Sequence, residues 1–185
     1  MCGRYYFEMN KMDGSPFIEK LKKQCSSLAY AKGEVYPGEP ILVILKEQEE
    51  FVLQSKKWGL QRKDYLLINA RSETASTKPL FAKMKRCAIL CNGFYEWKKY
   101  PDHKEKYYIH KPYNSLYLAA LCMGNEVVIL TGESENEMKN IHHRTPLLMD
   151  EKRMISYVQG NLWPKVDNQE LLIEAVSKRQ QMSLF

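Results

Sequence analysis

The chain has 185 residues, a length that suits one domain and buries enough surface for a stable core without disulfides or a metal. Its composition, 44% hydrophobic and 27% charged, argues against wholesale disorder, and no apolar run approaches the ~18 residues of a membrane span. The 28 basic and 22 acidic side chains give a net charge of +6, which suits a polyanionic partner. Five cysteines without a disulfide-framework spacing, and a start unlike a signal peptide, predict a reducing cytoplasm.

The first predicted element is a helix that begins after Ser15, because Pro16 suits the first helical position. Apolar residues recur at helical spacing as far as Ala29, and Gly33 is a suitable stop. From residue 41 to residue 131 the pattern changes to short β-like runs, at 41–44, 51–54, 65–68, 87–97, 107–110, 116–121 and 127–130.

Three more helices are predicted after the last of these runs. Their capping residues are Ser134 with Glu137, then Asp150, then Asp167 with Glu170. The second is expected to end before Gly160 and the third near Arg179. Because the strands cluster without regularly alternating helices, the sequence predicts an α+β fold with a curved, largely antiparallel sheet, a barrel-like core and flanking helices. We expect one domain over residues 1–179 and a tail at 180–185.

Cys2 draws attention by its position. Removal of Met1 would leave a free α-amine beside a thiol, and an amine with a pKa of about 7.7–8.0 is partly neutral at pH 7. The amine can attack an aldehyde to give an imine, and the thiol can then close a five-membered thiazolidine ring. The alternative is a small residue at a frayed terminus.

Three further positions carry candidate chemistry. The polar segment 69–74 follows an apolar strand, and its Asn69 and Arg71 suit the orientation of a nucleophile and the binding of a phosphate, or else a solvated turn. Glu96 stands between two aromatic residues, where burial would raise the pKa of a general acid, unless it faces solvent. His142 shares the apolar face of its predicted helix, where a half-buried structural histidine is the alternative.

No metal site and no cofactor are expected. Cys87 and Cys91 point to one face of a strand, but the histidines of the chain offer no second pair with the spacing of zinc ligands. The lysine-rich runs at 20–23 and 83–86 are interpreted as solvated faces that would also suit a nucleic acid.

Taken in order, these pieces resemble the SRAP family, the SOS-response-associated peptidases that shield abasic sites in single-stranded DNA. The resemblance rests on five ordered motifs that span residues 1 to 146: Met1-Cys2-Gly3-Arg4-Tyr5, Lys57-Trp58-Gly59-Leu60, Asn69-Ala70-Arg71-Ser72-Glu73-Thr74, Gly93-Phe94-Tyr95-Glu96-Trp97 and Ile141-His142-His143-Arg144-Thr145-Pro146.

The resemblance implies that Cys2, freed by removal of Met1, crosslinks the aldehyde of an abasic deoxyribose through a thiazolidine. It assigns Asn69 to holding the α-amine, Glu96 to proton transfer and His142 to the deoxyribose side of the Schiff-base chemistry. It also gives the flanking phosphates and the packing of the DNA groove to five residues: Arg4, Arg71, Arg144, Trp58 and Trp97. Stacking and phosphate neutralisation are the physics of single-strand binding.

This sequence departs from the family pattern at three points. His143 stands where aspartate is usual, Trp58-Gly59-Leu60 continues as Gln61-Arg62 without the common Ile-Pro, and Tyr36-Pro37-Gly38 replaces the common Ala-Pro-Thr loop. We therefore expect retained chemistry with a changed groove edge.

Two other functions compete with this interpretation: a cysteine peptidase that acts on other proteins, with Cys2 as nucleophile and His142 as base, and a non-catalytic module that binds single-stranded nucleic acid. The expected partner is abasic single-stranded DNA, and we expect a monomer that is cytoplasmic and associates with the bacterial nucleoid when bound to DNA. The tail residues Gln181, Leu184 and Phe185 resemble the short peptide that docks on the replicative sliding clamp, although these residues also suit packing on the domain's own surface.

Overall fold

The computed structural model describes residues 2–112, 115–167 and 170–176. Its strands are β1 (Tyr5–Phe7), β2 (Gly33–Val35), β3 (Pro40–Glu47), β4 (Glu50–Trp58), β5 (Leu60–Gln61), β6 (Leu66–Leu67), β7 (Asn69–Arg71), β8 (Lys85–Cys91), β9 (Gly93–Lys99), β10 (Lys104–His110), β11 (Leu116–Met123), β12 (Glu126–Glu133), β13 (Arg144–Pro146), β14 (Leu148–Met149) and β15 (Leu172–Ala175). Its helices are α1 (Pro16–Cys25), α2 (Ser72–Ala75), α3 (Pro79–Ala82) and α4 (Glu151–Val158), with 3₁₀ turns at Met9–Lys11 and Asn136–Asn140.

A closed ring of strands forms the core. β12 pairs with β4, β4 with β3, β3 with β8, β8 with β11, and β11 with β12 again. Every pairing in this ring is antiparallel except that of β12 with β4. The middles of β3, β8, β11 and β12 are continuously buried, and α4 lies against β8 and β11. The predicted α+β fold with a curved, largely antiparallel, barrel-like core is therefore confirmed.

A second antiparallel sheet, in the order β15-β10-β9-β1-β2, continues from the ring. The chain passes from the ring to this sheet at Asn92, between β8 and β9. The backbone N–H of Asn92 donates to Tyr6 O at 2.9 Å, and its side-chain oxygen accepts from Glu8 N at 2.6 Å. Asn92 thus ends pairing with the ring and starts pairing with β1, so the run predicted over 87–97 is two strands.

Two of the predicted helix starts are confirmed. The Ser15 hydroxyl accepts from Ile18 N at 3.1 Å, and the Asp150 carboxylate accepts from Arg153 N at 2.7 Å. α1 ends at Cys25, however, and does not reach Ala29.

The helix predicted from Ser134 is wrong. The segment forms only the 3₁₀ turn, and the Ser134 hydroxyl is buried and caps no N–H in the described part of the chain. Ser134 N instead donates to His143 O at 3.0 Å, which extends the pairing of β12 with β13 where the predicted helix would begin.

The helix predicted from Asp167 with Glu170 is also wrong, because residues 172–175 form β15 along the edge of β10. Glu170 has φ +58, a left-handed conformation that stops a helix before it begins. Ladder hydrogen bonds to an open strand edge prevail here over the helical spacing of the apolar side chains. The short strands β1 and β2 lie outside the runs predicted from the sequence.

No helix among residues 2–112, 115–167 and 170–176 has the length and apolar composition needed to cross a bilayer. The tail residues Gln181, Leu184 and Phe185, and the predicted helix end near Arg179, lie outside the described residues.

Candidate active site around Cys2

Strand pairing places Cys2 in the interior. β1 pairs with β9 so that Tyr5 lies opposite Phe94, and Tyr95 N donates to Arg4 O at 2.9 Å. Continuing this antiparallel register brings the start of the chain alongside Glu96. Cys2 has no solvent-exposed surface, so it is a core residue and not a frayed terminus.

Asn69 binds the backbone of Cys2 directly. Its side-chain amide donates to Cys2 O at 2.9 Å, across 67 positions of sequence. Asn69 is buried at the start of β7, and its Oδ1 atom accepts no hydrogen bond within the described ranges. One side of the amide therefore fixes Cys2, while the other side offers an acceptor oxygen in the same pocket.

Glu96 is the carboxyl group beside the thiol. It lies on β9 with 3% of its surface exposed, and this burial raises the pKa of its carboxyl. Burial, followed by the nearby charge of Glu96, raises the pKa of the Cys2 thiol to about 12. The thiol is thus protonated at neutral pH and donates weakly to Arg4 O, at 3.8 Å.

His142 lies in the segment that leads into β13. The backbone of Arg144 faces His142 Nδ1: its N–H donates at 3.0 Å and its carbonyl oxygen lies 3.2 Å away, and we assign the proton of the neutral ring to Nε2. Partial burial lowers the pKa of His142 to about 4, and the ring of His143, stacked with centroids 4.4 Å apart, contributes to this lowering. Burial is the largest cause and the charge of the N-terminus is the second, so His143 adds to the lowering, whereas an aspartate would oppose it.

The arginines assigned to phosphates differ in what holds them. Arg71 is exposed at the end of β7. Arg144 is buried and forms a two-pronged ion pair with Glu73, at 2.7 and 3.0 Å. Hydrogen bonding to Arg144 lowers the pKa of Glu73. Arg144 is thus committed to joining β13 to α2, while Arg71 faces solvent.

Arg4 belongs to a network on the outer face of the second sheet. Its guanidinium lies 3.7 Å from the ring centroid of Tyr36 and 5.4 Å from that of Trp97, and it forms an ion pair with Glu34 at 2.6 Å. Lys106 donates to both oxygens of the same carboxylate, at 2.7 and 2.8 Å. Glu34 thus holds two cations next to the half-buried ring of Trp97.

The other tryptophan lies elsewhere. Trp58 is fully buried, its indole N–H donates to Ile68 O at 3.2 Å, and its ring packs against Tyr5. A ring without exposed surface supports β1 from beneath, so Trp58 has no free face on which a base could stack.

The motif around Glu96 also contains a close approach. A Cβ on Gly93 would lie 2.6 Å from the ring of Tyr108. The ring can therefore pack directly on the backbone of β9 only because position 93 is glycine. An aromatic side chain of β10 thus makes a close approach to β9 at this glycine.

Sequence reasoning missed Glu34 and Lys106. Glu34 and Lys106 join Arg4 only through strand pairing, and nothing in the local sequence signals such a network. The role of Glu73 had a signal, since it lies within the quoted motif at residues 69–74. Among the described residues, no group of three histidine, cysteine or acidic side chains is arranged to hold a metal ion.

Fold and site together define a class: an α+β protein whose strand ring and second sheet bury a cysteine near the N-terminus between an amide and a carboxyl group. The family model "SOS response associated peptidase (SRAP)" matches residues 1–184, and the chain belongs to this family.

Several relatives of this chain are named as abasic site processing proteins. The chain is 30% identical over 177 residues to the abasic site processing protein YoaM of Bacillus subtilis, covering 80% of this chain and 75% of the relative. It is 26% identical to the abasic site processing protein YedK of Escherichia coli, with the same coverages, and 28% identical to the abasic site processing protein HMCES of Xenopus tropicalis. The match covers 48% of HMCES, so this chain spans about half of that longer relative.

Solved structures show the same fold. A protein from Bacteroides thetaiotaomicron superposes with a TM-score of 0.73 at 16% identity, covering 96% of this chain and 93% of the other. A phage-related protein from Bordetella bronchiseptica gives a TM-score of 0.73 at 21% identity, covering 96% of this chain and 95% of the other.

Proposed function

We propose that this protein binds single-stranded DNA at abasic sites and forms a covalent thiazolidine with the lesion through Cys2, after removal of Met1. Membership of the SRAP family and the names of three relatives support action on abasic sites. The observation that carries the proposal is the burial of Cys2 against Asn69, which binds its backbone, and Glu96, whose charge acts on its thiol. The crosslink would shield the lesion from other chemistry.

The reaction has two bond-forming stages. The neutral α-amine of Cys2 attacks the aldehyde carbon of the ring-opened deoxyribose, and loss of water leaves an imine. The thiol then adds across the C=N bond: sulfur bonds to carbon, the thiol proton leaves, and nitrogen takes up a proton. Because the pKa of the thiol is raised, the amine reacts first and the thiol enters as a protonated group that needs a base.

Asn69 and Glu96 take separate parts in this sequence. The amide N–H of Asn69 already fixes the Cys2 carbonyl, and its buried oxygen is an acceptor for the freed α-amine. This contact would aim the nitrogen lone pair at the aldehyde carbon. Glu96, whose pKa is raised by burial, gives a proton to the departing water, then takes the thiol proton as a carboxylate and returns it to the ring nitrogen.

His142 acts from the sugar side in this proposal. Its neutral ring presents an Nε2–H donor, because Nδ1 is occupied by Arg144 N. Such a donor would polarise the aldehyde oxygen or stabilise the hydroxyl that it becomes, without adding a positive charge beside the amine.

Arg71 and Arg4 are the cations that we assign to DNA phosphates. Arg71 is already exposed, whereas Arg4 must exchange Glu34 for a phosphate while Lys106 keeps that carboxylate neutralised. Trp97 and Tyr36 flank the Arg4 guanidinium and form the aromatic edge of the groove. We assign Arg144 and Trp58 to supporting the site, because both are buried.

The removal of Met1 is part of the proposal. The Cys2 thiol would attack the Met1 carbonyl carbon, shift the acyl group from nitrogen to sulfur, and release methionine when water hydrolyses the thioester. Mass spectrometry of the purified chain tests this: the Cys2→Ser variant should retain Met1 when produced in cells without methionine aminopeptidase activity, while the wild type loses it. Equal removal from both would assign the step to another enzyme.

The function is tested by incubating the protein with a single-stranded oligonucleotide that carries one abasic site. We expect a heat-resistant adduct with the wild type, none with Cys2→Ala, and at most a labile one with Cys2→Ser, because a hydroxyl closes a less persistent ring. The DNA-linked peptide must begin at residue 2. Linkage at another residue would disprove the mechanism, cleavage of other proteins would favour the peptidase, and equal shielding of the lesion by Cys2→Ala would favour a binding module.

The tail supports a separate proposal of docking on a sliding clamp. A glutamine at 181 followed by Leu184 and Phe185 suits an apolar pocket with one orienting hydrogen bond, and a tether would raise the local concentration at replicating DNA. Calorimetry with the intact protein and with Leu184→Ala/Phe185→Ala tests it. Absence of binding at high micromolar concentration of the intact protein would disprove docking.

A further inference from the structure

A second thiol environment lies at the end of the strand ring farthest from Cys2. β8 runs from Lys85 to Cys91, and at about 3.4 Å per residue its two ends are on the order of 20 Å apart. Burial raises the pKa of Cys91, at the end near Cys2, and the charge of the Cys2 thiol adds to this. The other end opens on a cavity of about 280 Å³.

We call this cavity the lysine pocket, after four of its lining residues: Lys46, Lys56, Lys83 and Lys85. Glu47 is its acidic lining residue, and Cys122 lines it from β11. Lys56 is fixed by donating to Gly124 O at 2.6 Å, and Lys46 is paired with the exposed Glu49 at 3.1 Å. Within the described ranges, Lys83 and Lys85 have no carboxylate within 4.0 Å, so the pocket carries an excess of positive charge.

Cys122 does not stand alone in this pocket. In the antiparallel pairing of β8 with β11, Cys87 lies opposite Ala120, and Cys122 is two residues further along β11. Residues two apart in a strand share a face, so both thiols point to the same side of the ring wall. Cys87 is fully buried, and its neighbouring S–H, together with Lys56 and Lys85, lowers the pKa of Cys122 although burial opposes it.

We propose that Cys122 is a second reactive thiol and a modification site for small anionic disulfides, recognised by the lysines of the pocket and activated by Cys87. Cationic groups and a thiol donor are the surroundings that make a cysteine a thiolate nucleophile. The cavity provides the access that the 3% exposure of Cys122 would otherwise restrict. Cys87 is a positioning residue, since it acts through Cys122.

The exchange is balanced without another reagent. The Cys122 thiolate attacks one sulfur of the disulfide, a new S–S bond forms to the protein, and the original S–S bond breaks. The other half leaves as a thiolate, whose charge the pocket lysines stabilise, and Cys87 keeps its proton. Cys87 and Cys122 are diagonal neighbours. In an antiparallel sheet the Cα atoms of such neighbours lie about 7–8 Å apart, which exceeds the usual Cα separation across a disulfide. The mixed disulfide therefore persists and is not displaced by Cys87.

The test compares two disulfide reagents on the full chain: the dianion 5,5′-dithiobis(2-nitrobenzoate) and the neutral 4,4′-dithiodipyridine. Labelling is read from tryptic peptides, since the peptide over 107–139 contains Cys122 as its one cysteine. The half-buried Cys25 is the internal reference. We expect the dianion to label Cys122 at least about tenfold faster than Cys25. The ratio of the dianion rate to the neutral rate should also be higher at Cys122 than at Cys25.

Variants separate the contribution of the pocket lysines from that of Cys87. Lys56→Gln/Lys85→Gln should lower the dianion-to-neutral ratio at Cys122 by about threefold to tenfold, whereas Lys139→Gln, outside the pocket, should leave it unchanged. Cys87→Ala should slow both reagents at Cys122, and Cys87→Ser, which retains a donor, should restore part of the rate.

Labelling of Cys122 no faster than that of Cys25, or a ratio indifferent to the lysine substitutions, would overturn the proposal. So would a loss of two hydrogens by intact mass, because an internal Cys87–Cys122 disulfide would make Cys87 a reactant. Abasic-site crosslinking by the Cys122→Ser variant should equal that of the wild type, so failure here is distinct from failure of the proposed function.

Discussion

The two ends of β8 present thiols in opposite environments. At the Cys91 end, burial and a neighbouring carboxyl group raise the pKa of Cys2 to about 12. At the Cys87 end, an S–H donor and two lysines lower the pKa of Cys122. Both thiols are almost fully buried, so burial alone does not decide the character of a cysteine. At Cys2 burial is the largest cause and Glu96 adds to it, whereas at Cys122 the groups that face the sulfur outweigh burial.

The contrast bears on the chemistry proposed for Cys2. A protein that needed a preformed thiolate would surround it with cations, as at Cys122. Cys2 instead has a carboxyl group, which suits a reaction that the α-amine begins and the thiol completes once Glu96 removes its proton. A protonated thiol is also a poor target for oxidants and alkylating agents, so under this proposal Cys2 would be kept intact until an aldehyde arrives.

The largest expected effect tests the role of the carboxyl group at the Cys2 end. Glu96→Gln keeps the shape of the side chain but removes its proton-accepting capacity, so adduct formation should slow by about 10²- to 10⁴-fold. Glu47→Gln, the matched change in the lysine pocket, should leave the rate unchanged. Single-turnover kinetics on abasic oligonucleotide measure both. A rate within a few-fold of wild type for Glu96→Gln would show that the carboxyl group is structural.

The next effect concerns stability beside the site. Glu73→Gln leaves the buried Arg144 guanidinium without a counter-charge, and should lower the free energy of unfolding by about 1–3 kcal/mol. Glu19→Gln, which breaks an exposed ion pair with Lys22, should change it by less than about 0.5 kcal/mol. Urea unfolding of the wild type and both variants measures these changes in the free energy of unfolding. Similar values for both variants would mean that Arg144 is free to serve DNA.

The affinity for single-stranded DNA should also differ in its dependence on the two ends of β8, by a smaller factor. In a Cys2→Ala background, Arg71→Ala should weaken binding to single-stranded DNA about fivefold at 0.1 M salt, the effect of one lost phosphate contact, and should reduce the salt dependence accordingly. Lys85→Ala should leave binding unchanged. Equal weakening by the two changes would mean that DNA extends to the lysine pocket.

The last expected effect is a pH dependence of stability. The pKa of His142 is about 4 in the folded protein and about 6.5 when unfolded, so between these values the unfolded chain binds more protons. Stability should therefore fall as pH decreases from 6.5 towards 4, and His142→Gln should remove part of that slope. Urea midpoints at pH 7 and pH 5 measure it, with the exposed His103→Gln as control. Parallel slopes for wild type and His142→Gln would contradict the assignment.

Sequence reasoning predicted the fold class and the helix starts at Ser15 and Asp150, because caps and strand runs depend on nearby residues. It failed where a distant partner decides, as at β15, where the edge of β10 competes with helical spacing. The same division holds at the site. Motif order pointed to Cys2, Asn69 and Glu96, but the commitment of Arg144 to Glu73, and of Arg4 to Glu34, depends on packing that no local pattern contains.

The position of Cys2 in the second sheet has a consequence for the life of the newly made chain. β1 is held between β2 and β9, so the surroundings of Cys2 depend on Asn69 and Glu96, which are made long after it. At about 5–20 residues per second, a ribosome needs on the order of 5 to 20 seconds to reach Glu96. Until then the start of the chain is open to a cellular aminopeptidase; once β1 is in place, Cys2 is sealed from solvent. Under the proposal that the Cys2 thiol removes Met1, removal by another enzyme would belong to the period of synthesis, and removal after folding would belong to the protein's own thiol.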